Sequence, residues 1–248
     1  MKKYIYVIIV LLIFTSCSNS SFIEKDGKIY YEWYHGGRFK KQYDLVQADP
    51  DSFEIITSPF AKDKNHVFYT SIIIEGADPG TYKLIKNSPI RNLAIDKYRL
   101  YLGTEPIPKS TAEGFELLGE RGFFKDKNQA YLYQTTIDVC SVTNFRYVKD
   151  FWATDGCHYF WGWEKIPSNN YEKIILFNGG VAKDNQKVFL RGENLLSHFR
   201  KIEKDVDTID ASSFEEVSPF DGKHFRDKFG CILLEYEGRI ECLDTLKF

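Results

Sequence analysis

The sequence has no excess of either charge. Lys and Arg number 33 against 35 Asp and Glu, a net charge of −2. No basic stripe is therefore available to neutralise a phosphate backbone, and nucleic acid is not an expected partner. Beyond Cys17 no apolar run approaches membrane-spanning length, for which about 20 residues are needed. No stretch rich in Pro, Gly or Ser divides the chain, so no linker marks a domain boundary. The short signatures of common catalytic sites are missing as well: Gly-x-Ser-x-Gly, Ser-x-x-Lys, His-Glu-x-x-His and a Gly-rich phosphate loop. No cofactor, metal or catalytic residue is expected on these grounds.

What is present is a repeat of roughly thirty residues, the mark of an array of small units. Its clearest copies read Asp63-Lys-Asn-His-Val-Phe-Tyr69, Asp126-Lys-Asn-Gln-Ala-Tyr-Leu132 and Asp184-Asn-Gln-Lys-Val-Phe-Leu190. Asp96, Asp155 and Asp227 head degenerate copies, and Asp26-Gly-Lys-Ile-Tyr-Tyr31 is a weak opening one. An aromatic marker precedes each: Phe53, Tyr82, Phe115, Phe145, Tyr171 and Phe214, with an apolar residue three positions on. The two markers keep step.

Four to six residues after each Asp come apolar triplets such as Val67-Phe-Tyr69 and Val188-Phe-Leu190. Successive strand residues point to opposite faces, so these strands are covered on both sides. Asp-Lys-Asn is type I turn chemistry, with Asn suited to the left-handed region. Glycines at 37, 103, 162, 192 and 238 suit tight hairpins. Each unit thus reads as a three-stranded antiparallel meander, and six to seven of them as an all-β domain over 24–248. An open, twisted array is expected; a closed propeller is the alternative. Neighbouring copies are expected to stack edge to edge. Leu195, Phe199, Ile202 and Val206 have helical spacing, which predicts one inserted helix near 194–205.

These motifs resemble the bacterial DKNYV repeat family, and the resemblance covers about 26–245. It implies an envelope or secreted protein with no assigned enzymatic activity, and it hands over no catalytic residues. The N-terminus agrees. Lys2 and Lys3 precede an apolar stretch over 4–14 that is too short to span a bilayer. Phe14-Thr-Ser-Cys17 reads as a permissive lipobox, with Phe where most have Leu. Residues 1–16 are then a signal peptide, Cys17 the lipidated residue, and 17–23 a short tether to a membrane. Ser18 after the cysteine favours the outer membrane.

An even number of further cysteines in an exported chain permits disulfides. Cys231 and Cys242 flank one hairpin and could pair; Cys140 and Cys157 could staple adjacent units; buried free thiols are the alternative. The repeated Asp-x-Asn offers too few oxygens for a calcium loop. His224 with Asp221 and Asp227 is the one candidate ligand cluster, and surface charge near a turn explains it more simply. The best binding candidates are Trp152, Tyr159, Trp161 and Trp163, aromatics that could stack on sugar or anchor a protein; filling the core is the competing reading. The function expected is a non-catalytic envelope lipoprotein that binds a protein or glycan. The alternative is a glycan hydrolase with Glu164 and Glu172 as paired carboxylates.

Overall fold

The computed structural model describes residues 20–35, 40–202, 206–217, 223–234 and 238–240. Among these residues the fold is all-β, with seven separate antiparallel sheets, none closed into a barrel, and one α-helix, Leu195–Lys201. The signal segment, Cys17, Asp221 and Cys242 lie outside the described residues, as does the predicted Gly37 turn. Two compact units divide the chain, Met1–Gly80 and Thr81–Phe248.

Each repeat has four strands, one more than the sequence predicts. The first complete sheet runs Glu54–Thr57, Phe60–Lys62, Val67–Tyr69 and Ile72–Ile73, in that spatial order. Five sheets of the same order follow in the second unit, the last ending at Ile240. The extra strand is the leading one, just after the aromatic marker. It is only two to four residues long and largely exposed, so no apolar run announces it. The opening copy differs again: a three-stranded sheet, Ser21–Lys25, Lys28–His35 and Lys40–Val46. Asp26 and Gly27 form its two-residue loop, both with positive φ.

In the first unit, Phe22, Ile29, Tyr31 and Val46 of the three-stranded sheet share one core with Ala61 and Phe68. In the second unit each interior sheet serves two cores. Phe124 and Tyr131 pack with Leu93, Ile95 and Leu100 of the preceding sheet. Their strand neighbours Phe123, Ala130 and Leu132 pack with Phe145, Ala153 and Phe160 of the following one. Ala182 and Phe189 likewise face back to Trp152 and Ile166, while Val181, Val188 and Leu190 face forward to Phe214, Phe225 and Ile232. The sheets therefore stack face to face and not edge to edge, because it is the two alternating sets of side chains that meet. The helix starts at Asn194, whose side chain accepts the Ser197 N–H, and buries Leu195 and Phe199 in the last core. It is shorter than the sequence spacing predicts.

Candidate functional site

The repeated aspartate is the residue to build from. Asp63 is 4% exposed, yet it is fully bonded. Oδ1 accepts the N–H groups of Asn65 (2.7 Å) and His66 (2.6 Å), and Oδ2 accepts the N–H of Asp49 (2.9 Å) from the segment that opens the repeat. The same clamp recurs. Asp126 takes Asn128, Gln129 and Thr111 N–H groups; Asp155 takes Cys157, His158 and Cys140; Asp227 takes Phe229 and Asp210. At Asp184 the Ser168 hydroxyl stands in for the upstream N–H at 2.6 Å. Asp96 takes the Tyr98 and Arg99 N–H groups on Oδ1, and its Oδ2 accepts the Tyr101 hydroxyl at 2.8 Å.

Burial alone would raise the Asp63, Asp155 and Asp184 carboxyls. The N–H and hydroxyl donors outweigh it and hold all three below the usual carboxylate range. These oxygens face donors, so they are not presented to a calcium ion. Asn65 and Asn128 do not enter the left-handed region; the turn is held by the Asp side chain instead.

The neighbouring lysines complete the motif. The lysine after the Asp pairs with an acid of the opening segment: Lys64 with Asp49 (2.9 Å), Lys127 with Glu113 (2.8 Å) and Lys228 with Asp210 (3.4 Å). The lysine before it reaches the next repeat. Lys125 donates to the Phe145 carbonyl (3.1 Å) and Lys183 to that of Phe214 (2.6 Å), both aromatic markers.

At 184 and 155 the turns read Asp-Asn-Gln and Asp-Gly-Cys, so both lack the lysine after the Asp. The 155 copy has a covalent tie instead. Cys140, at the position of Asp49 and Asp210, is joined to Cys157 by a disulfide. The bond ties the opening segment to the turn of its own repeat, not one repeat to the next. Cys140, Cys157 and Asp155 come within 4.8 Å of one another, but the two sulfurs are already bonded to each other. Cys231 is also disulfide-bonded.

The four candidate aromatics do not share one open patch. Trp152 is fully buried between sheets, its indole N–H without a partner among the described residues. It meets Trp161 edge-on at 5.0 Å, and Trp161 and Tyr159 pack partly against the same core. Trp163 is 53% exposed at the hairpin tip, donating to Glu164 at 3.1 Å. Glu164 does not line the cleft that Glu172 borders.

That cleft, about 510 Å³, is bounded by Arg146, Thr154, Gly156, Cys157 and Tyr159 on one repeat and by residues 169–172 of the next. Asn170 leads into the short helical turn Tyr171–Lys173. Tyr171 donates to the Ile166 carbonyl (2.6 Å) and abuts the His158 ring at 5.0 Å. A second cleft of about 380 Å³, within the first unit, has the matching components: the Gly27 turn, residues 48–50 at the opening of the next repeat, and Asp63, Asn65 and His66. Sequence reading missed Arg146, Asn169 and Asn170. The turn at Gly156 and Cys157 departs from Asp-Lys-Asn, but so do those at 96, 184 and 227, and no sequence signal marks these three residues.

The family model described as the DKNYY family matches residues 22–233. No curated protein and no solved structure matches the chain.

Proposed function

We propose, from the premise that this chain belongs to the DKNYY family, that it is a non-catalytic envelope lipoprotein whose stacked repeats present a binding surface. One observation carries this reading. The chemically able group that recurs, the turn aspartate, has both oxygens engaged in holding the fold, which leaves the repeats to supply shape and not acid–base chemistry. The disulfide supports an oxidising compartment outside the cytoplasm. Lys2, Lys3, the apolar stretch 4–14 and Cys17 support export and lipid attachment, and Ser18 the outer membrane. Among the described residues no helix is long and apolar enough to cross a membrane.

The test uses the full chain and a Cys17→Ala variant. The expected result is lipid labelling of the first only. Isolated cell-wall glycan is expected to co-sediment with the protein and to release no new reducing ends. Labelling of both chains removes the anchor. Release of reducing ends that Glu164→Gln or Glu172→Gln abolishes would establish the hydrolase instead.

A further inference from the structure

We infer that the cleft between the Asp155 turn and residues 169–172 is a carbohydrate-binding site. The inference rests on the binding reading above and gives it a place and a ligand class. Four polar groups on its walls have no hydrogen-bond or ion-pair partner among the described residues: the Arg146 guanidinium, the Tyr159 hydroxyl, the Asn169 amide and the Glu172 carboxylate. Such groups are available to a ligand at no cost in broken internal bonds. Lys64, Lys125, Lys127, Lys183 and Lys228, by contrast, are spent on ties to a neighbouring segment.

Their chemistry narrows the ligand. One cation and one anion leave the walls without a net charge, so a phosphate or strongly acidic ligand gains little. The walls are too polar for an apolar guest. Planar amide, guanidinium and carboxylate groups can each bond two adjacent hydroxyls, which both donate and accept. Tyr159 and Tyr171 add ring surface for the C–H face of a sugar. The Tyr171 ring is fixed by its own bond to the Ile166 carbonyl and by His158, so little ordering is left to be done on binding. At about 510 Å³ the cleft is of ligand-binding size.

Gly156 and Cys157, both in the wall, belong to a turn with no lysine after its Asp. The Cys140–Cys157 bond then supplies the tie that the missing lysine cannot.

The experiment is calorimetric titration of the detergent-solubilised full chain with two neutral probes, chitotetraose and cellotetraose. Inorganic phosphate and an acidic peptide serve as comparison ligands. At least one sugar is expected to bind with Kd below about 10 mM. Arg146→Ala and Asn169→Ala should each weaken it at least about tenfold, and Gln134→Ala at an exposed hairpin tip should leave it unchanged. Melting curves and a thiol titration confirm that each variant is folded with its disulfides intact. No binding of either sugar overturns the inference, as do binding unaffected by the two wall substitutions and preference for phosphate or peptide. If wall glycan still co-sediments while the cleft substitutions have no effect, the cleft falls and the broader binding reading stands.

Discussion

A carboxylate whose two oxygens are both taken up by N–H and O–H donors is neither a free base nor a free ligand. Asp184, 5% exposed, accepts from Gln186, Lys187 and Ser168. Asp184→Ala strands those donors, and the expected loss is about 3 kcal/mol in urea denaturation at pH 7. Its folded carboxyl lies below the ordinary value. The stability it contributes is therefore complete above an unfolded value of about 3.9 and is lost as pH falls through the lower folded one. The gap between wild type and variant should narrow from pH 5 downward, on the order of a few units; a gap that stays constant to pH 2 rejects this account. Half of the clamp was legible in the sequence. The short-range bonds follow from Asp at a turn. The upstream bond does not, because its donor is a backbone N–H carried by Asp49, Thr111, Cys140 or Asp210, and no residue type marks it.

The strands were legible where they are buried on both faces, as at Ala130–Leu132 and Val188–Leu190. The leading strands were missed because half-exposed pairs such as Lys83–Leu84 and Glu215–Glu216 read as loop. The two-residue hairpin loops were legible only in part. Gly103 and Gly162 hold the positive φ expected of them, but Thr70 and Tyr133 take the same conformation in other copies. Gly238 belongs to a strand instead. Gly119 shows what spacing alone cannot reveal. It has φ +63°, and a Cβ there would come within 2.4 Å of the Tyr147 ring on the next sheet. Gly119→Ala should cost about 2 kcal/mol or more, from strained backbone and a displaced ring together. Thermal melting checks it, and a neutral result would mean that Tyr147 yields freely.

Stacking decided where the aromatics went. Trp152, Phe145 and Phe160 have no mark in the sequence that separates a binding surface from a core, and each lies at an interface between sheets. Only coordinates show that Trp163 alone of the tryptophan cluster is open. The Cys140–Cys157 bond closes a sequence separation of 17, for which chain entropy gives about 3 kcal/mol. Cys140→Ser with Cys157→Ser should lower stability by about that amount. Unchanged denaturation would show that the Asp155 clamp suffices without it.

The backward and forward sets of side chains in the second unit carry an evolutionary consequence. Every junction there is made from the same two complementary surfaces. Excising or duplicating one whole unit brings together faces that still fit, whereas a one-residue insertion in a third strand exchanges its two sets. Gain or loss of one whole repeat is therefore expected to be tolerated in this chain, and a single-residue insertion only in its turns.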